Sequence, residues 1–105
     1  MQVIIIKPAK KFLKSLEPHL KKKVYRHIGI LKEYGLDLAM PFSKRLAKDL
    51  HELRILGIVN VRIFYTPQKD SIWLIHGFIK STHKIPIRRM ELGYKRLKDL
   101  TQYNL

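Results

Sequence analysis

Three cations sit where chemistry could use them. Arg54, Arg62 and Lys80 each lie inside or at the end of a short apolar run patterned as a β-strand. A guanidinium buried without a partner is too costly to keep, so such side chains face water, a carboxylate or an anionic ligand. Placed on successive strands, they predict a sheet that presents positive charge, fixed more firmly than loops would fix it. Arg62 projects beside Phe64 into a concave or partly covered surface, where its planar fork can bond two oxygens at once. Its other reading is a structural pair with Glu52 or another carboxylate across the sheet. Arg54 has the same two readings. Glu52 shares Arg54's strand face by the two-residue period and so can orient it. Lys80 ends the last strand, where it can bind phosphate, act as acid or base if neighbouring cations depress its pKa, or simply be solvated.

A second tier of candidates surrounds these. His76 titrates near neutrality in its free form, but it lies among Trp73, Leu74, Ile75 and Phe78. A hydrogen-bonded core histidine is therefore favoured over an acid or base. His83 and Lys84 occupy a polar connector from which they can reach a substrate. Tyr94 can stack on a base, although its place in an apolar helical stripe favours packing. His19, His27 and His51 form no metal-ligand spacing, there is no cysteine, and no H-x-x-x-H pair occurs. No metal site and no cofactor are therefore expected. The lysine run at 21–23 reads as a solvated helix face.

The elements that must position these residues follow from periodicity. Val3 to Ile6 reads as a buried first strand. Pro8 then opens a helix with Phe12, Leu13 and Leu16 on its apolar face. Glu17-Pro18 interrupts it, and a second helix carries Leu20, Val24, Ile28 and Leu31 on one side, ending near Gly35. Residues 36–46 lack a clear period. Strands are predicted near 50–56, 58–66 and 71–80, joined through Gly57 and through Thr66 to Asp70, as an antiparallel meander. In the middle strand Val59, Val61, Ile63 and Tyr65 should face the helices. Asn60, Arg62 and Phe64 should lie on the other, partly open face. Pro86 opens a last helix with Ile87, Met90, Tyr94 and Leu97 at helical spacing. Gly93 weakens that helix by about 1 kcal/mol relative to alanine.

Composition bounds the partner. The 105 residues make one domain, 1–105, with 22 Lys+Arg against 8 Asp+Glu and a formal net charge of +14. That excess points first to nucleic acid and second to an anionic membrane surface. No apolar run approaches the roughly 18 residues of a membrane span, and the short N-terminal run lacks the features of a signal peptide. A cytoplasmic protein is expected.

The segments H-E-L-R at 51–54, V-R-I-F-Y at 61–65 and H-G-F-I-K-S-T-H-K-I-P at 76–86, with the strand–helix–helix pattern before them, resemble the RelE/HigB family of toxin–antitoxin mRNA endonucleases. The resemblance is strongest to its phage-derived HigB-like branch. It implies an α+β, RelE-like fold: two N-terminal helices packed on a small antiparallel sheet of order 1-4-3-2, plus a C-terminal helix. It also implies a neighbouring antitoxin as partner, mRNA and the ribosome as targets, and cleavage without a metal. Under that implication Arg62, Arg54 and Lys80 are the catalytic candidates. Glu52, His76, His83, Lys84 and Tyr94 are the substrate-binding ones. A non-enzymatic inhibitor of DNA gyrase on the same scaffold, and a simple RNA- or ribosome-binding module, are the alternatives.

Overall fold

The β-branched N-terminal run forms β1 (Gln2–Ile5), followed by helix α1 (Lys7–Lys14), in the computed structural model, which describes residues 1–103. Pro8 is tolerated in the first turn of α1 because the leading helical N–H groups have no intrahelical partner. Glu17 then caps α2 (Pro18–Tyr34). Its carboxylate accepts from the backbone N–H groups of His19 and Leu20 at 3.0 and 3.1 Å, and these bonds hold its pKa below the usual value. Gly35 ends α2 at φ +56°, in the left-handed region that suits glycine. A short 3-10 turn (Gly35–Asp37) leads to β2 (Ser43–Ala47), β3 (Leu50–Ile55), β4 (Val61–Gln68), β5 (Ser71–Ile79) and finally α3 (Ile87–Tyr103).

The sheet differs from the predicted four-stranded antiparallel one. It is a mixed sheet of five strands in the order β1-β5-β4-β3-β2, with β1 parallel to β5 and the remaining neighbours antiparallel. The order 1-4-3-2 is therefore replaced, because an unforeseen strand arises from residues without a clear period. This strand, β2, is an edge strand whose Ser43 is buried while Lys44 and Arg45 are exposed, so no alternation of apolar and polar residues marks it. β1 keeps the edge position beside the last strand that the predicted order gave it, but it was expected to be buried and is half-buried, since it has one neighbour only. Ile58 and Val59 lie outside the sheet and are exposed, and β4 starts at Val61. Pro67 pairs with Ile72 inside the ladder, which leaves Lys69 and Asp70 as the turn.

Helices cover both faces. Leu13, Val24, Ile28 and Leu31 from α1 and α2 pack against Leu53, Val61, Ile63, Tyr65 and Leu74 on one face. On the other face Phe64, Ile75 and Phe78 meet Leu97 and Leu100 of α3. The second face, predicted as partly open, is thus closed over one half by α3. The predicted stripe of α3 also turns. Ile87 is 77% exposed and Tyr94 46%, so the packing expected of Tyr94 is absent; Met90, Gly93, Leu97 and Leu100 face the sheet instead. Gly93 sets this rotation. A Cβ there would lie 2.7 Å from Phe64 Cδ2, so the helix approaches the ring as closely as it does only because the side chain is missing. Phe64 pairs with His76 and Tyr65 with Leu74, leaving Ile75 as an extra residue. This bulge turns both Ile75 and His76 toward α3. Among the described residues no helix is long and apolar enough to cross a membrane.

Candidate functional site: a cationic cleft beside the last helix

The strand register decides which charges meet. Arg54 on β3 lies directly opposite Arg62 on β4, and Glu52 lies opposite Phe64 on that strand and opposite Lys44 of β2 on its other side. Two arginines placed face to face repel each other. Glu52 stands between them: its Oε1 is 3.5 Å from Arg54 Nε and its Oε2 3.6 Å from Arg62 Nε. Burial makes this pairing obligatory, since Glu52 is only 4% exposed and Arg62 only 3%. The distances describe ion pairs rather than hydrogen bonds. Both Nε atoms and Glu52 Oε2 are buried without a hydrogen-bond partner among the described residues.

Arg62 is enclosed because β4 has neighbours on both sides and Phe78 stands opposite it on β5. Burial pulls its pKa down, Glu52 raises it again and Arg54 lowers it; the guanidinium still stays charged. One bond is internal, from Arg62 Nη1 to the Val61 carbonyl at 3.2 Å. Arg54 is half-buried and its backbone N–H donates to the Phe42 carbonyl at 2.8 Å, which ties β3 to the segment entering β2.

These residues floor a cleft of about 420 Å³. Lys80 stands just beyond β5, and its Nζ donates to the His83 carbonyl at 2.9 Å, folding the connector back over the sheet. Thr82 Oγ1 donates to the Lys84 carbonyl at 2.6 Å and tightens the same loop. His83 and Lys84 consequently line the cleft together with Lys44, Glu52, Arg54, Arg62 and Lys80. Five cations face one carboxylate there, a surplus of four positive charges with His83 neutral. Leu46, Ile85 and Met90 supply an apolar side. Lys44 and these three were not singled out from sequence. β2 carries no strand pattern, and Ile85 and Met90 reach the cleft only through the docking of α3.

The two remaining candidates lie outside the cleft. Tyr94 sits on the exposed side of α3. His76 is buried under that helix, stacked on Phe78 with ring centroids 5.6 Å apart. Arg96 Nη1 donates to His76 Nδ1 at 2.6 Å and to the Ile75 carbonyl at 3.0 Å. Arg89 Nη1 lies 3.4 Å from Nε2, and its guanidinium stands over the Phe78 ring. Both guanidiniums can only donate, so the ring between them is neutral, with Nδ1 accepting the shorter bond. Burial, then the charges of Arg96 and Arg89, push the His76 pKa down to about 4. Sequence reasoning missed both arginines, because only the fold brings α3 onto the bulge. Among the described residues no group of three or more His, Asp and Glu side chains could hold a metal ion. His27 instead meets the Lys23 carbonyl, and His51 stacks on Tyr65.

Fold and cleft define a small α+β protein that gathers one buried and one half-buried arginine around a single glutamate on a half-covered sheet face. The chain belongs to the phage derived protein Gp49-like (DUF891) family, whose model matches residues 11–98. That family is associated with toxin–antitoxin toxins. No curated protein sequence matches the chain significantly.

Proposed function

We propose that this protein is an RNA-cleaving toxin of the RelE/HigB branch, acting on mRNA at the ribosome in the cytoplasm and neutralised by a bound antitoxin. The Arg54–Glu52–Arg62 triad, open to a cleft whose other charged walls are all cationic, carries this reading. RNA supplies its own nucleophile. Its 2′-hydroxyl attacks the adjacent phosphorus, the bond to the 5′-oxygen breaks, and a 2′,3′-cyclic phosphate and a 5′-hydroxyl result. Charge builds on the phosphoryl oxygens on the way, and preorganised cations aimed at it lower the barrier. Arg62 and Arg54 hold those oxygens, and Glu52 keeps the two guanidiniums side by side. Because Glu52 already serves both arginines, proton transfer falls to the groups on the connector. His83 is the imidazole lining the cleft and takes that part, while Lys80 and Lys84 contact phosphate. Leu46, Ile85 and Met90 offer an apolar side to a base. No step requires a metal ion.

Induced expression without a partner tests this. Growth should arrest, and new mRNA 5′ ends should accumulate within translated frames. Folded protein in cells that grow normally with intact messages counts against cleavage. Supercoiling defects or DNA breaks with intact mRNA transfer the reading to gyrase inhibition.

A further inference from the structure

We infer that the outer face of α1 is a docking surface for the phosphate backbone of a folded RNA, separate from the cleft. Lys7, Lys10, Lys11 and Lys14 fall at i, i+3, i+4 and i+7, so one face of the helix carries all four, and all four are exposed. α1 contains no acidic residue, and none precedes Glu17 in the chain. Glu17 itself is engaged by the N–H groups of His19 and Leu20. Among the described residues the ion pairs belong to Glu52, so no carboxylate neutralises this stripe. Like charges three and four residues apart oppose the helix, and Lys7 stands at the wrong end of its dipole. Folding does not ask for these lysines, since Ala9 and Leu13 on the inner face already dock α1.

The stripe and the triad lie on opposite faces of the sheet. Phe12 of α1 lies against Gly77 on the sheet face away from α3, so closely that a Cβ there would collide with the ring. The cleft opens on the α3 face, and no residue of α1 lines it. The occupant follows from chemistry. A protein partner needs an apolar centre to its interface, yet no large exposed hydrophobic residue of the chain lies on α1. A membrane surface would be gripped by an inserted apolar face, and that of α1 is buried. Phosphate contacts need cations alone. Neighbouring lysines stand about 5–6 Å apart at their Cβ atoms, comparable with the separation of phosphates along an RNA strand. The lysine run at 21–23 does not share this role as a unit. Lys23 Nζ donates to the Leu56 carbonyl beside Gly57, Lys21 is half-buried, and Lys22 alone is exposed.

The test compares the full chain with a fourfold variant, Lys7→Gln, Lys10→Gln, Lys11→Gln and Lys14→Gln, and with the matching fourfold Arg variant. Glutamine and lysine have similar helix propensity, and circular dichroism with thermal unfolding checks the fold. Affinity for a labelled RNA hairpin is measured against potassium chloride concentration, and cleavage is measured on a short single-stranded RNA. The Gln variant should show a salt slope shallower by about 3, from roughly 0.7–0.9 per lost phosphate contact. The Arg variant should keep the slope, and all three should cut the short strand equally. Unchanged hairpin affinity and slope in the Gln variant overturn the proposal. So does wild-type binding to polyglutamate or to phosphatidylglycerol vesicles as tight as to the hairpin. A preparation that cuts no RNA counts against the cleavage reading alone, because hairpin binding is scored separately.

Discussion

Arg62 and Glu52 are each other's reason for being buried, so substitutions at the two positions should fail differently. Arg62→Ala removes a preorganised donor and should lower cleavage by roughly 10²–10³-fold, measured as single-turnover rates on saturating RNA. Glu52→Gln leaves two guanidiniums opposed without their carboxylate. Breaking a buried pair in this way costs about 3–5 kcal/mol, so a large fall in denaturation midpoint is expected. A Glu52→Gln protein of undiminished stability that has lost the basic-form limb of its pH–rate profile would show instead that Glu52 is the general base. His76 makes a prediction about pH. Its folded pKa is depressed to about 4 from an ordinary 6.5, so its contribution to stability is full above pH 6.5. That contribution declines as pH falls toward 4, because the unfolded chain takes up the proton first. Between pH 7 and 5.5 this amounts to about 1 kcal/mol. His76→Gln should flatten that part of the stability profile, read by urea unfolding at both pH values.

Elements carry the next set of constraints. α3 walls the cleft through Met90 and docks over Phe64 at Gly93. Gly93→Ala would add up to about 1 kcal/mol of helix propensity in an isolated helix. Here its Cβ would collide with the Phe64 ring, so the net effect should be a lifted helix. Faster hydrogen exchange across residues 87–103 together with weakened RNA binding is the expected outcome, and slower exchange there would refute it. Gly77→Ala should be worse, because Phe12 lies closer and is pinned under α1. Overpacking of this kind typically costs about 1–3 kcal/mol. Shortening the ring in the double variant with Phe12→Leu should recover part of the loss in melting temperature.

The whole molecule carries a net charge of +14, and its described ion pairs are confined to the triad. Self-repulsion of that size opposes compaction. Raising sodium chloride from about 10 to 150 mM shortens the Debye length from roughly 30 to 8 Å, so the melting temperature should rise. A fall would mean that attractive surface pairs outweigh the repulsion. An acidic antitoxin would relieve the same repulsion. If it masks the cleft, hydrogen exchange in the complex should slow across residues 50–66 and 76–90. Protection confined to α1 and α2 would point to exclusion from the ribosome instead.

Much of this architecture was legible in the residues. Leu20, Val24, Ile28 and Leu31 announce α2 because a helix on a sheet buries a stripe of period 3.6. Val61, Ile63 and Tyr65 announce the buried side of β4 because pleating alternates the faces. Cations inside apolar runs announced a charged site, and their spacing put Glu52 beside Arg54. What the chain alone did not disclose depends on contacts between distant segments. β2 has no pattern because an edge strand on a rim buries little, so Lys44 could not be counted in the cleft. Tyr94 belonged to a plausible stripe until the approach of Gly93 to Phe64 rotated α3. His76 could be read as a core histidine, but its two arginine neighbours come from a helix that only tertiary packing lays across the bulge. Local periodicity is written in single segments, whereas register, helix rotation and the pairing of buried charges exist only after those segments meet.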